Sequence, residues 1–217
     1  LNLEKKKSFS ENSELGGNDP YSASKAMSER LVKIYFERVY NKTSIGLATV
    51  RAGNVIGGGD FSENRIVPDI IKHITKKKKL LLRNPNSYRP WQHVLDVLSG
   101  YLNLGVKLSS NNKKFSGPYN FGPKYKKNYT VINLVHKFLN KLISKNYKIV
   151  YSKKDLFESN YLDINSNKSR SKLQWKNKYS PSKMIEKTID WYKIFINNPK
   201  KIEKFSKKQI LEYFSDL

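Results

Sequence analysis

The stretch Thr43-Ser-Ile-Gly-Leu-Ala-Thr-Val50 empties directly into Arg51-Ala-Gly-Asn-Val-Ile-Gly-Gly-Gly-Asp60, and this junction constrains the fold more than any other part of the chain. A short, largely apolar, β-branched run fits a strand buried on both faces, the kind found in parallel sheets covered by helices. Three consecutive glycines let the backbone approach a ligand closely or take a positive φ. In open α/β sheets ligands bind beyond the carboxyl ends of strands, where this loop falls. It is not a G-x-G-x-x-G fingerprint, because it does not open a helix at once, and no Gly-Lys-Ser/Thr follows to make a phosphate-binding P-loop. A flexible surface turn is the other reading of the same glycines.

Upstream, Asp19-Pro20-Tyr21-Ser-Ala-Ser-Lys25 predicts a helix start, with a stop signal before a proline in the first turn. Tyr21 and Lys25, at i and i+4, then share one helix face. A phenol ionises too weakly to act as a base at neutrality, and a fixed ammonium close by favours the phenolate. Such a pair suits oxidation of an alcohol, in which a proton leaves oxygen as a hydride leaves carbon. Met27, Leu31, Ile34 and Tyr35 form an apolar stripe on the same helix, expected to run to about Tyr40, to pack against the body and leave the Tyr21/Lys25 face free.

Downstream, the pattern predicts a helix over Ile66 to about Ile74, a short strand at Leu80 to Leu82 and a core helix over Val94 to Leu108. Between the last two lies Arg83-Asn-Pro-Asn-Ser-Tyr-Arg-Pro-Trp-Gln-His93, the densest polar and aromatic stretch. There Arg89 has the planar fork that grips a phosphate bidentately. His93 reads more simply as a structural histidine than as a base. Tyr119-Asn-Phe-Gly-Pro123 reads as a strand ending in a turn. Thr130 caps a helix with an apolar face at Val131, Leu134, Val135, Phe138, Leu139 and Leu142. Tyr147 to Tyr151 reads as a strand, and Ser180-Pro181 opens a helix to about Ile196. The segment 199–217 reads as a basic tail without evident chemistry.

With 217 residues and 38% hydrophobic content, the chain can bury a sizeable core. It has no cysteine, so disulfides and thiolate chemistry are excluded. No His/Asp/Glu metal constellation is evident. No apolar run reaches the roughly 18 residues of a membrane span, and no leader pattern is visible. A cytoplasmic setting is expected. The net charge of +24 raises the question of nucleic acid. The excess is lysine spread over every segment, with its longest run at Lys76 to Lys79, and no nucleic-acid module appears. Specific nucleic-acid binding is therefore not expected. The start at Leu1, running at once into Glu4 to Lys7, reads as a loop and as the beginning of a piece of a longer protein.

Four segments together resemble the extended short-chain dehydrogenase/reductase family, and within it the nucleotide-sugar enzymes of the CDP-glucose 4,6-dehydratase type. They are Leu15-Gly-Gly-Asn-Asp-Pro-Tyr-Ser-Ala-Ser-Lys25, Arg51 to Asp60, Arg83-Asn-Pro with Arg89-Pro-Trp-Gln-His93, and Tyr119 to Pro123. The resemblance runs from about Ser10 to about Tyr192. It implies an α/β fold with a partial Rossmann-like parallel sheet and a smaller, interleaved substrate-binding domain. The NAD-binding part would cover 1–58 and the nucleotide-sugar part mainly 59–198. By this resemblance Tyr21 deprotonates the sugar 4-hydroxyl as hydride passes to NAD, and Lys25 activates Tyr21 and holds the nicotinamide ribose. The 4-ketone acidifies the C5 proton, water leaves from C6, and the hydride returns there. Asn54, Arg65, Arg89, Asn120 and Tyr161 are implied to contact the nucleotide-sugar, while Gly53 and Gly57 to Gly59 shape the loop. The implied product feeds deoxysugar and lipopolysaccharide O-antigen synthesis, and the implied full-length protein is a homo-oligomer.

The family's glycine-rich dinucleotide motif and its Thr-Asp elimination segment are not in the chain, and Leu-Gly-Trp appears as Leu173-Gln-Trp175. The chain alone is therefore expected not to bind NAD normally or turn over. A related dehydratase or 4-epimerase shares the same Tyr21/Lys25 pair. A non-catalytic basic interaction module is the alternative outside enzymes.

Overall fold

The computed structural model describes residues 7–110, 113–124, 130–142, 147–152 and 159–215. The expected loop at Glu4 to Lys6 and the last two residues of the expected tail, Asp216 and Leu217, lie outside the described residues. Every strand pair in the described fold is parallel. Strand β1 (Ser8–Phe9) pairs with β8 (Asp163–Ile164), and β2 (Ala48–Ala52) with β6 (Gly117–Phe121). Strand β3 (Asn54–Ile56) pairs with β5 (Trp91–His93), and β4 (Leu80–Leu82) with β7 (Ile149–Tyr151). The helices are α1 (Pro20–Arg38), α2 (Ile66–Lys76), α3 (Val94–Ser110), α4 (Val131–Leu142), α5 (Asn167–Leu173), α6 (Pro181–Asn197) and α7 (Ile202–Phe214).

The strand expected over Thr43 to Val50 is displaced towards the glycine loop, because pairing with β6 begins at Ala48 and carries through Arg51 and Ala52. At Gly53 the chain leaves β6 and takes up β5. The amide of Gly53 donates to the Phe121 carbonyl at 3.0 Å, and the Gln92 side-chain amide donates to the same oxygen at 2.7 Å. A Cβ at Gly53 would sit 2.5 Å from the Pro90 carbonyl oxygen, so only glycine permits this crossover.

Two apolar clusters hold the layers. The larger packs α2, α4 and α6 about β4, with Ile70, Leu80, Leu134, Val135, Phe138, Leu139 and Tyr192 fully buried. The apolar face expected for α4 is thus the face that packs, each large side chain contributing about 1.5–3 kcal/mol. The smaller cluster joins Tyr119 and Phe121 of β6 to Leu104, Leu173 and Trp175. Caps follow the sequence: Asp19 accepts from the Ser22 amide at 3.0 Å, and Ser180 from the Lys183 amide at 3.2 Å.

Helix α1 departs from expectation. Its stripe does not pack: Met27 is 70% exposed and Leu31 55%, with Ile34 and Tyr35 also exposed. A polar clamp holds the helix instead, in which Arg51 of β2 donates from Nε and Nη2 to the Glu29 carboxylate at 2.7 and 2.6 Å. Helical periodicity identified an apolar face, but no described element covers it.

The expected basic tail is largely helix α7, and it docks. Tyr213 is buried and its hydroxyl donates to Asp96 Oδ1 at 2.7 Å, which also accepts from the Lys178 amide at 2.7 Å. Burial pushes the Asp96 carboxyl above its usual range, against the Tyr213 and backbone hydrogen bonds that favour its charge.

At the end of α5, Gln174 sits at φ 55° between buried Leu173 and Trp175, in the left-handed region that glycine adopts without cost. Gln174→Gly is expected to raise stability by about 1 kcal/mol in urea unfolding.

His93 is buried, and its Nδ1 accepts from the Leu95 amide at 3.2 Å, so the ring proton lies on Nε2, which has no hydrogen-bond partner among the described residues. Burial, then the charge of Lys187, lowers its pKa to about 4. Because an unfolded histidine takes up its proton near pH 6.5, this contribution to stability is complete above that pH and is lost as pH falls towards 4. Thermal unfolding between pH 7 and 5 should show a loss of about 2 kcal/mol from this residue. His93→Asn, which retains an acceptor and cannot titrate, should flatten that slope.

Candidate active site

A cavity of about 470 Å³ opens at the carboxyl ends of β2, β3 and β4, where ligands of parallel sheets bind. It gathers four of the residues singled out from sequence: Tyr21, Asn54, Arg65 and Arg89. The first turn of α1 brings Tyr21 to it, 72% exposed, with Lys25 Nζ 5.6 Å from the ring centroid. Lys25 lies beside the ring without itself lining the cavity. Asn54 opens β3 directly after the Gly53 crossover. Arg65 stands in extended backbone before α2, with Nη1 3.8 Å from Asp60 Oδ2. Arg89 is buried, and its Nη1 donates to the Tyr88 carbonyl at 2.9 Å, which fixes the guanidinium in the wall.

Two implied contacts lie elsewhere. Asn120 is 2% exposed and donates from Nδ2 to the carbonyls of Phe9 at 3.0 Å and Asn165 at 3.1 Å. It ties β6 to the flanks of β1 and β8 and does not line the cavity, because its place on β6 faces that pair. Tyr161 stacks on Tyr88, with ring centroids 4.7 Å apart, and lines a second cavity of about 590 Å³ with Lys124, Asp163 and Arg170. Adjacent residues Tyr88 and Arg89 thus serve different cavities, as the alternation of an extended segment dictates.

Sequence reasoning passed over Asp60, Asn64, Asp69, Arg83 and Asn84 as site residues, yet all line the first cavity. The signal available was position: Arg83 and Asn84 follow β4 at its carboxyl end, where the sheet presents its loops. Three arginines, Arg65, Arg83 and Arg89, against the two carboxylates give the cavity a net positive lining suited to a diphosphate.

The glycine loop rests on an aromatic shelf. A Cβ at Gly58 would fall 2.0 Å from Trp191 Cγ, at the root of the ring. Trp191 is held by its Nε1 donating to Ser206 Oγ at 2.8 Å, and the neighbouring Tyr192 hydroxyl donates to the Asp60 carbonyl at 2.6 Å. Helices α6 and α7 thereby set the height of the loop and the position of Asp60 opposite Arg65.

A family profile described as GDP-mannose 4,6 dehydratase matches residues 2–188. The chain belongs to the GDP-mannose 4,6 dehydratase family. Its relatives within these nucleotide-sugar 4,6-dehydratases include the CDP-glucose 4,6-dehydratase of Salmonella typhimurium, 34% identical over 95% of this chain and 59% of the relative. The dTDP-glucose 4,6-dehydratase of Escherichia coli is 25% identical over 85% of this chain and 50% of the relative. The chain thus spans between half and three-fifths of the length of these relatives. The fold matches that of dTDP-glucose 4,6-dehydratase from Bacillus anthracis in complex with NAD, with TM-score 0.73 and 22% identity over 93% of this chain and 60% of that one. It also matches UDP-glucuronic acid 4-epimerase from Bacillus cereus in complex with UDP-glucuronic acid and NAD, with TM-score 0.74 and 19% identity over 88% and 58%. These matches place the chain in the α/β fold shared by dehydratases and epimerases.

Gly58→Ala should cost about 1–3 kcal/mol, because the ring root cannot swing aside as a flexible chain end would. Combining it with Trp191→Ala should recover part of that loss, seen as a favourable coupling in a double-mutant cycle by thermal unfolding.

Proposed function

We propose that the chain carries the catalytic tyrosine and the nucleotide-sugar site of a CDP-glucose 4,6-dehydratase, which converts CDP-glucose to the CDP-linked 4-keto-6-deoxy sugar. The supporting observation is one cavity that combines the exposed phenol of Tyr21 with Asn54, Arg65 and Arg89. The identity to the Salmonella enzyme favours cytidine as the nucleoside. In this reading residues 1–58 complete a Rossmann-like NAD domain, 59–198 form mainly the interleaved sugar-nucleotide domain, and the last helix buttresses the glycine loop.

The residues present fit NAD at one edge: Tyr21 offers an accessible phenol on the open side of the cavity, with the Lys25 ammonium alongside for ribose hydroxyls. NAD supplies the redox chemistry, accepting hydride from the sugar and returning it. Tyr21 takes the proton of the 4-hydroxyl, and Lys25 stabilises the charge on the phenol oxygen. Arg89 and Arg65 grip the diphosphate, one guanidinium buried in the wall and the other exposed beside Asp60. Asn54 bonds a sugar hydroxyl.

Turnover is tested in a polypeptide carrying this chain at the full length of the relatives, supplied with NAD and CDP-glucose. The 4-keto-6-deoxy product should form, detected by mass spectrometry, and Tyr21→Phe should lower kcat by about 10²–10⁴-fold. Formation of CDP-galactose would establish an epimerase instead. Indifference to Tyr21→Phe, with polyanion binding that survives physiological salt, would establish the basic interaction module.

A further inference from the structure

The cavity holds two carboxylates among its arginines, and a diphosphate repels both. Asp60 is accounted for by Arg65 at 3.8 Å. Asp69 is not. It lies in the first turn of α2, half-buried, and no side-chain hydrogen bond or ion pair engages its carboxylate among the described residues. A half-buried carboxylate without a partner loses hydration that a ligand must restore by donating to it.

The surroundings say which part of a ligand donates. Val67, Leu82 and Val131 line the same cavity and are apolar, which suits the faces of a planar heterocycle better than a hydroxylated ring. Arg83, which lines it too, is steadied by donating from Nη2 to Asn64 Oδ1 at 3.4 Å. Burial pushes the Asp69 carboxyl up, while the charges of Lys72 and Arg83 oppose that shift. An acceptor and a guanidinium donor beside apolar walls can read the edge of a base. Cytosine presents an exocyclic amine, which donates, beside a ring nitrogen and a carbonyl that accept. Uracil and thymine carry a carbonyl in place of that amine, which would face the carboxylate lone pair to lone pair.

We propose that Asp69 selects the nucleobase: its carboxylate accepts from the exocyclic amine of cytosine while Arg83 donates to the ring nitrogen and carbonyl oxygen. This rests on the nucleotide-sugar reading above and assigns the selectivity to a residue on α2, remote in sequence from Tyr21 and Lys25.

The test is calorimetric titration of the chain with CDP, UDP and dTDP, which needs neither NAD nor turnover. The chain should bind CDP at least about tenfold more tightly than UDP or dTDP. Asp69→Asn presents an amide that both donates and accepts, matching the uracil edge, so it should weaken CDP about tenfold and strengthen UDP. Asp69→Ala should lose the preference without reversing it. A gain for UDP cannot come from misfolding, and circular dichroism of both variants checks the fold. Unchanged order and strength in Asp69→Asn would overturn the assignment while leaving nucleotide binding intact, as would equal binding of all three by the parent chain. Failure of the parent chain to bind any of them would overturn the nucleotide-sugar reading and this assignment with it.

Discussion

The carbonyl oxygen of Phe121 is the point on which the architecture turns. It receives the Gly53 amide from one strand pair and the Gln92 side chain from the other, joining β2–β6 to β3–β5. Buried polar groups in a sheet must find partners, and here one acceptor satisfies two donors where the chain changes neighbours. Much of the cavity hangs from that crossover. It sets Asn54 at the start of β3, aims the glycine loop at α6, and leaves the carboxyl ends of the strands open as a cavity.

Helix α1 is attached differently from the rest. The other long helices bury side chains in one of the two clusters or against Asp96, whereas α1 buries none and is clamped by Glu29 and Arg51. A bidentate, partly buried pair carries geometric precision that a greasy contact lacks. That precision matters to the role proposed for Tyr21, because the residue lies on this helix and a proton transfer tolerates little misplacement. It also makes the position of Tyr21 more sensitive to ionic strength than the core beneath it.

Much of this was legible in the chain. The caps at Asp19 and Ser180, the α4 face and the strand at Leu80 to Leu82 follow from local chemistry and appear where periodicity put them. The cavity brings together Tyr21, Asn54, Arg65 and Arg89, residues scattered over nearly seventy positions. What was hidden is what tertiary contact decides. Trp91 to His93 lies in a dense polar and aromatic stretch to which the sequence assigns no strand, since Gln92 and His93 give no strand signal beside Trp91, yet pairing with β3 makes it a strand. The segment after Pro199 reads as a tail because lysines dominate, yet Tyr213 finds Asp96 across the molecule. Asn120 and Tyr161 are implied by resemblance, and the register of β6 and the stacking on Tyr88 place them away from the first cavity. The α1 stripe has the right spacing for a packing face, and spacing carries no information on what stands opposite.

The pairing of β1 with β8 has a consequence in time. Phe9, eleven residues before the start of the helix that carries Tyr21, finds its partner only at Ile164, and Asn120 must be in place to bind both flanks. Such non-local pairing carries a large loop-closure entropy and forms slowly. During synthesis the segment leading into α1 emerges well before Asp163 and Ile164 and must wait for them before it can be anchored. The contact of α2 with α4 spans fewer residues than that of β1 with β8, so this part of the core can form while the segment leading into α1 is still unanchored.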